Sequence, residues 1–167
     1  MRTFISKLRN NKGGVFEFVL ILPIVTFLIL MLLIYGKIVY VKMAAEMAAR
    51  EAARTYAVYH AEADAVSKTK SVALEEFRNA LPVNTSSVQV TIQEGYIRTG
   101  SGGNTYFQEG TPRDYCRVEV TVDVPIEAPY FHYLLGSNKV VGTKKGNSYV
   151  KEVRADAVFY KEAVGFN

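Results

Sequence analysis

The feature that most constrains this chain is an uninterrupted apolar run near its N-terminus. From Phe18 to Gly36 the sequence reads FVLILPIVTFLILMLLIYG and carries no charged residue. A helix rises about 1.5 Å per residue, so the run spans roughly 28 Å, close to the hydrocarbon thickness of a bilayer. It is longer than the apolar core of a cleaved secretory signal, which is typically about 7–15 residues. The run therefore predicts one transmembrane helix in contact with the lipid bilayer.

Basic residues before the run predict its orientation. The net charge of the chain is +4. Four basic residues precede the apolar run and have no acidic residue among them: Arg2, Lys7, Arg9 and Lys12. They equal the whole excess, so we expect no nucleic-acid partner. The positive-inside rule places this end in the cytoplasm. We therefore expect a single-pass protein of the inner (cytoplasmic) membrane, with its C-terminus on the extracytoplasmic side.

The sequence after the run keeps a helical character. Alanine pairs recur every four residues from position 44, and residues 37–60 contain neither Gly nor Pro after the apolar run ends. We predict one helix over residues 15–60, comprising the transmembrane helix and its extension. Ala44, Ala48 and Ala52 form a ridge of small side chains that allows close helix packing. Two interpretations stay open: the ridge packs on this chain's own sheet, or it packs on helices of other subunits.

Residues 62–81 have the period of an amphipathic helix, and Pro82 is predicted to end it. The expected apolar face consists of Val66, Ala73, Leu74, Phe77 and Leu81.

Alternation with a period of two predicts the sheet. Strands are expected at 88–92, 116–124 and 149–160, and Pro125 is expected to stop the second strand. The glycine-rich segment 95–114 is interpreted as a loop or an edge hairpin with its tip at Gly100–Asn104. One-sided alternation suits an antiparallel sheet covered by helices. The predicted class is α+β: a long N-terminal transmembrane helix extends into a small domain (61–167) with a second helix and an antiparallel sheet of three or more strands.

Residues suited to catalysis are sparse. Cys116, the single cysteine, lies on the apolar face of its strand and is predicted to be a small buried hydrophobe. His60 and His132 are far apart in sequence, and we find no metal-ligand spacing or nucleophile motif. We therefore expect no catalytic residue, no metal site and no cofactor, so the chain is not predicted to be an enzyme.

The most specific pattern precedes the apolar run. Lys12 is followed by Gly13, Gly14, two apolar residues and Glu17. A basic leader, a glycine, a glutamate and then a long apolar helix resemble the precursors of type IV pilin-like proteins. The stretch GGVFEFVLILPIV, followed by MAAREAARTYA, resembles the TadE-like family of minor pilins or pseudopilins of tight-adherence (Flp) pilus systems. The later stretches VEVTVDVPI, YFHYLLG and RADAVFYKE also resemble that family's pattern.

The resemblance implies a pilin-like fold and a part in assembling a tight-adherence type IV-like pilus or a related secretion filament. It implies that a prepilin peptidase removes a basic cytoplasmic leader, residues 1–14, by cutting at Gly13 or Gly14. Glu17 would then pair with the new α-amine of a neighbouring subunit, since an ionised group at membrane depth is costly without a partner. The implied partners are the peptidase, other pilin-like subunits and the pilus assembly machinery.

One departure from the pilin pattern leaves an alternative open. Glu17 is the fourth residue after a cut at Gly13 and the third after a cut at Gly14, whereas most pilins have this glutamate at the fifth position. The alternative is an uncleaved single-pass membrane anchor whose outer domain binds an envelope partner. Glu17 would then only reach towards water from the membrane interface.

Overall fold

The computed structural model describes residues 12–79, 85–126, 142–145 and 148–161. The chain divides into two compact units, Met1–Lys37 and Ile38–Asn167. The predicted residues Leu81, Pro82 and His132, and the predicted leader before Lys12, lie outside the described part. The described elements are α1 (Lys12–Tyr59), α2 (Ala65–Asn79), a 3-10 turn (Thr85–Ser87), β1 (Gln89–Thr99), β2 (Thr105–Glu109), β3 (Tyr115–Ile126), β4 (Thr143–Lys145) and β5 (Ser148–Tyr160).

Helix α1 supplies the described residues of the first unit and continues into the second. Its sequence consists largely of Leu, Ile, Val, Met and Ala, and Pro23 is tolerated inside it. The helix ends at Tyr59, whose carbonyl oxygen accepts a hydrogen bond from the Glu62 amide at 2.8 Å. The predicted single helix over residues 15–60 is therefore confirmed to within a few residues at each end.

Helix α2 is shorter than predicted, and its buried face matches the predicted one at Ala73 and Phe77 but not at Val66. It covers Ala65–Asn79 rather than 62–81. Val66, predicted to face the core, is 46% exposed, so that prediction is wrong. The buried residues are Ala65, Thr69, Ala73 and Phe77, spaced four apart. Thr69 is acceptable in the core because its hydroxyl donates a hydrogen bond to the Ala65 carbonyl oxygen at 2.8 Å, which leaves Val66 on the outside.

The five strands form one antiparallel sheet in the order β2-β1-β3-β5-β4. The predicted hairpin is confirmed, since Ile97 lies opposite Phe107 and Thr99 lies opposite Thr105. Strand β1 extends well beyond the predicted end at Ile92, because it pairs with β2 as well as with β3. The α+β class and the antiparallel sheet predicted from the sequence are both confirmed.

Two features of the sheet differ from the prediction. Strand β3 passes through Pro125 to Ile126 and does not stop before the proline. Beyond Thr121 this strand is paired with β5 but no longer with β1, so a proline meets only one neighbouring strand. The three-residue strand β4 was not predicted, because three polar residues carry no period that distinguishes a strand.

The core of the second unit lies where α1 and α2 contact the sheet. Strand β3 alternates strictly between half-buried and buried residues, and its inward side chains are Cys116, four valines ending at Val124, and Ile126. Most of the facing α1 residues are alanines with no exposed surface. Small side chains allow a helix to lie close to branched valines, so this core needs few large residues on the helix side. The inward α1 residues are Val41, Ala45, Ala48, Ala49, Ala52, Ala53, Tyr56 and Ala57.

The other face of the sheet is polar and carries cross-strand ion pairs. Arg117 Nε lies 3.1 Å from an Asp156 carboxylate oxygen, and Lys145 Nζ lies 2.7 Å from an Asp123 carboxylate oxygen. Arg154 lies between Glu119 and Glu152. One face of the sheet is therefore apolar and covered, and the other carries paired charges suited to water.

Candidate functional site

The candidate site is the apolar part of α1 and the motif that begins it. Most large apolar side chains between Phe18 and Leu33 are exposed. Each of these retains between 38% and 73% of its accessible surface. Five consecutive residues, Phe18 to Leu22, are each more than half exposed, so apolar side chains lie on every side of the helix. A helix that is apolar all round is stable only inside a membrane or among other apolar helices.

Length and composition identify α1 as a helix that could span a membrane. Its most apolar window of 18 residues has a mean hydropathy of 3.0, and the described residues bury none of that window. No other helix in the described residues has these properties. Thr26 interrupts the apolar surface only slightly, because its hydroxyl donates to the Leu22 carbonyl oxygen at 2.8 Å. The predicted transmembrane segment is therefore present as a helix.

The predicted processing and assembly residues lie at the start of this helix. Gly13 and Gly14 are in the first turn of α1, and Glu17 follows within one further turn with its side chain exposed. Glu17 is thus a carboxylate placed directly before Phe18, an exposed apolar residue. Cleavage at the glycines and pairing of Glu17 with an amine remain predictions.

The alanine ridge lies inside the second unit. Ala48 and Ala52 have no exposed surface, and Ala44 is partly buried against the same core. Ala48 and Ala52 are therefore buried within this chain's own core, and packing of the ridge on helices of other subunits stays a prediction.

A polar cluster missed by the sequence analysis holds the end of α1 to the sheet. Tyr56 Oη donates to Glu94 Oε1 at 3.0 Å, and Lys161 Nζ donates to the same oxygen at 2.9 Å. Arg113 lies 3.5 Å from Glu94 Oε2. The cluster therefore joins α1, β1, the segment before β3 and the residue after β5.

The electrostatics of this cluster keep Glu94 ionised. Burial alone would raise the pKa of Glu94, but hydrogen bonds from Lys161 and Tyr56 and the nearby cationic charges lower it below the usual value. Burial, together with the hydrogen bond to the Glu94 carboxylate, raises the pKa of Tyr56 to about 12. The Lys161 side chain is only 12% exposed, so the two charges stabilise each other in a partly desolvated site.

The alternation of inward and outward residues along β1 gives a sequence signal for this cluster. Val90 and Ile92 lie opposite the buried Val120 and Val118, and Glu94 continues the same alternation opposite Cys116. An acidic residue at an inward position requires a partner, which the sequence alone does not identify. Gly95 is needed beside it, since a Cβ at this position would lie 2.1 Å from the Gln108 carbonyl oxygen.

Cys116 is a buried core residue, as predicted. Its Sγ lies 3.6 Å from the carbonyl oxygens of Ala53 and Phe159, and it has no exposed surface. Burial raises the pKa of its thiol, which disfavours the reactive thiolate. Among the described residues no group of three or more His, Cys, Asp or Glu side chains could hold a metal ion.

These observations define a class of α+β protein. Its long N-terminal helix could span a membrane, and the later residues of that helix cover one face of an antiparallel sheet. A sequence model of the TadE-like protein family matches residues 14–54, which confirms the predicted resemblance along α1. The match begins at Gly14 and contains Glu17, the apolar run and the buried alanines. It points to the tight-adherence pilus systems. A search of curated proteins and a search of solved structures each found no match.

Proposed function

We propose that this chain is a minor pilin or pseudopilin that takes part in assembling a tight-adherence type IV-like pilus or a related secretion filament, and that it is not an enzyme. The observation that carries this proposal is the coincidence of two features in α1. The family match covers residues 14–54, and it includes an apolar stretch of α1 that no described part of the chain buries. Such a helix requires a bilayer before assembly and other apolar helices after it.

The start of α1 supplies the chemistry of assembly. Hydrolysis of the peptide bond after Gly13 or Gly14 by a prepilin peptidase would leave a new cationic α-amine near the membrane surface. Glu17 lies within one turn of that point with an exposed carboxylate. A carboxylate beside an apolar surface is costly unless it is paired, so an amine from a neighbouring subunit would set the register between subunits.

Intact-mass measurement of the membrane-bound chain tests the processing step. With the cognate peptidase present, we expect a mass that starts at Gly14 or Val15. Replacing both Gly13 and Gly14 with Leu should leave the full-length mass, because a bulky side chain blocks access to the scissile bond. A wild-type chain that retains Met1 in the presence of active peptidase would contradict processing and support the uncleaved anchor.

A pilus-assembly assay tests the role of Glu17 separately. Glu17→Ala should be cleaved normally, because the glycine remains, yet it should lose the amine partner and fail in assembly. Glu75→Ala is a matched control, since Glu75 is an exposed acidic residue on α2. Normal assembly of Glu17→Ala would show that this carboxylate only sits at the membrane interface.

A further inference from the structure

The core of the second unit begins very close to the end of the apolar run. Val41 is the first α1 residue in that core and is 1% exposed. It follows Gly36, the last residue of the run, by five residues of the same helix, which is a rise of about 7.5 Å. The headgroup layer adds about 5–8 Å on each side of the hydrocarbon. Any part of the domain that packs at the height of Val41 therefore lies at the membrane surface.

Strand β3 runs along α1 in the direction of the apolar run. Near its start, Cys116 Sγ lies 3.6 Å from the Ala53 carbonyl oxygen. Beyond Ala53, α1 continues in the core only to Ala57, a rise of about 6 Å, whereas in the other direction it continues for about 18 Å to Val41. The buried residues of β3 extend about 26 Å from Cys116 to Val124. The earlier part of α1 is therefore the part long enough to lie alongside β3.

The length of β3 brings its last residues to the membrane surface. Ala53 is 17 residues beyond Gly36, which is a rise of about 26 Å. Ile126 is ten residues beyond Cys116, which is about 33 Å along an extended strand. Even at an inclination of about 40° to α1, β3 covers about 25 Å in the direction of the apolar run. Ile126 and the residues beside it therefore reach the headgroup layer.

Lysines lie beside Ile126 on the neighbouring strands. We name this region the β4 end of the sheet and define it by Ile126, Lys144, Tyr149 and Lys151. Tyr149 pairs with Ile126 on one side and with Lys144 on the other, and Lys151 lies opposite the buried Val124. The register therefore places both lysines on the face of the sheet that α1 covers. Lys42 adds an exposed cation at the start of the same core, on α1.

The charge on this face of the β4 end is not balanced by the strands that form it. The acidic residues nearby, Asp123 and Glu152, lie on the opposite face, where Lys145 Nζ is 2.7 Å and 3.9 Å from their carboxylate oxygens. No inward residue of β3, β4 or β5, as far as the structure describes these strands, is acidic. Lysine and tyrosine side chains together are typical of a membrane interface, and lysines attract anionic lipids there.

We infer that the β4 end of the sheet rests on the membrane and that Lys42, Lys144 and Lys151 bind the headgroups of anionic phospholipids. This inference rests on the membrane placement in the proposed function. Attraction between a lysine and an anionic surface falls off within about 10 Å in dilute salt, so only residues at the surface contribute. The hairpin of β1 and β2 lies at the other end of the sheet and is then presented away from the membrane.

Fluorescence quenching on the full chain, in vesicles of phosphatidylcholine and phosphatidylglycerol, tests the contact. Thr143→Cys, at an exposed position of β4, carries the label without removing a lysine, and Thr99→Cys, exposed beside the hairpin tip, is the matched control. The native Cys116 is buried and stays in both variants as a common background. A nitroxide on the lipid headgroup should quench the label at position 143 several-fold more than the label at position 99. Equal quenching at the two positions would overturn the inference.

The preference for one lipid over another tests the lysines in the Thr143→Cys background. Phosphatidylglycerol with a nitroxide near the top of its acyl chain is compared with phosphatidylcholine that carries the same group, at equal mole fraction. The labelled phosphatidylglycerol should quench about fivefold more, which is the preference that one lysine at an anionic surface provides. Equal quenching by the two lipids would contradict the binding of anionic headgroups.

Removing the lysines should remove this preference. Lys144→Gln together with Lys151→Gln should abolish it, and Lys144→Gln alone, at an exposed position, should weaken it. Lys70→Gln together with Arg98→Gln removes the same charge from exposed positions outside the β4 end and should leave the preference unchanged. A preference that persists without Lys144 and Lys151, in chains with unchanged thermal transitions, would overturn the assignment to these lysines.

These vesicles contain neither peptidase nor other pilus proteins, so the assay does not depend on processing or assembly. A chain that fails to float with the vesicles would contradict the membrane placement of the proposed function, and this inference with it. A chain that floats but shows equal quenching at positions 143 and 99 would contradict only the contact of the β4 end with lipid.

Discussion

Glu94 is a charged residue on the inward side of β1, where its neighbours are aliphatic. Lys161 and Tyr56 both donate to one of its carboxylate oxygens, and Arg113 lies near the other. These contacts join the C-terminal end of α1 to both edges of strand β3, through β1 and the end of β5. Removing the negative charge of Glu94 would leave the mostly buried Lys161 without its counter-ion.

We therefore predict that Glu94→Gln destabilises the chain by about 1–3 kcal/mol near neutral pH. The amide keeps the size of the side chain but loses the charge that Lys161 requires. Urea unfolding of the detergent-solubilised full chain measures the effect. Glu109→Gln, at an exposed position of β2, is the control and should change stability by less than about 0.5 kcal/mol.

The stabilisation that Glu94 contributes should also depend on pH. The pKa of Glu94 is lowered in the folded state, so its stabilisation is fully present above the ordinary glutamate pKa of about 4.3 and is lost as the pH falls through the lower folded value. The difference in unfolding free energy between wild type and Glu94→Gln should therefore be constant above about pH 5.5 and shrink below about pH 4. A difference that does not change with pH would show that the ion pair is not its source.

Ala48 and Ala52 are two positions at which we expect only a small side chain to fit. Both have no exposed surface and belong to the core that α1 shares with α2 and the sheet. We predict that Ala48→Leu or Ala52→Leu costs about 1–3 kcal/mol, because three added carbon atoms must displace the residues that pack against α1 in the core. Thermal unfolding measures this, with Arg54→Lys as the exposed control. Equal stability of all three variants would contradict tight packing of the ridge.

Among the elements, α1 is needed for more than membrane contact. Its residues between Val41 and Ala57 supply eight members of the core around the inward face of the sheet. The compact second unit, which begins at Ile38, therefore includes this part of α1. The predicted outer domain over residues 61–167 stays a prediction. The helix therefore contributes the inner wall of the domain, and the sheet by itself would expose its valines.

We predict that a chain beginning at Ile38 unfolds in one cooperative thermal transition, whereas a chain beginning at Ala61 does not. The shorter chain lacks the alanines and Tyr56 that cover β3, so its apolar face remains in water. Circular dichroism melting of the two chains gives the comparison. A sharp transition in the Ala61 chain, at the same temperature as in the longer one, would show that α1 is dispensable for the core.

For the whole molecule, the basic residues before the apolar run predict that the N-terminus is cytoplasmic and the C-terminus extracytoplasmic. A reporter enzyme that is active only outside the cytoplasm should be active when fused after Asn167. The same reporter fused before Met1 should be inactive and serves as the control. A well-expressed but inactive C-terminal fusion would show that the topology is the reverse of the predicted one. The C-terminal domain would then lie in the cytoplasm, out of contact with a filament.

The elements whose signal is local were determined by the sequence alone. The uncharged run makes α1 apolar on every side, the alanine pairs extend it, and strict alternation marks β3 and β5, because helix and strand periods depend only on neighbours in the chain. The α+β class, the hairpin at Gly100–Asn104 and the burial of Cys116 follow from such patterns. The motif GGVFEF and the apolar run were sufficient for the resemblance that the match over residues 14–54 confirms.

Tertiary structure decided every feature that depends on contacts between distant residues. The spacing of Ala48 does not show whether it is buried, and only the tertiary structure places it in the core of this chain. Thr69 replaces Val66 in the core because a local carbonyl satisfies its hydroxyl, and Pro125 stays in β3 because one neighbouring strand has ended. Glu94 meets Lys161 across 67 residues of sequence. Pairing across such a separation is set by strand order and register, which no local pattern encodes.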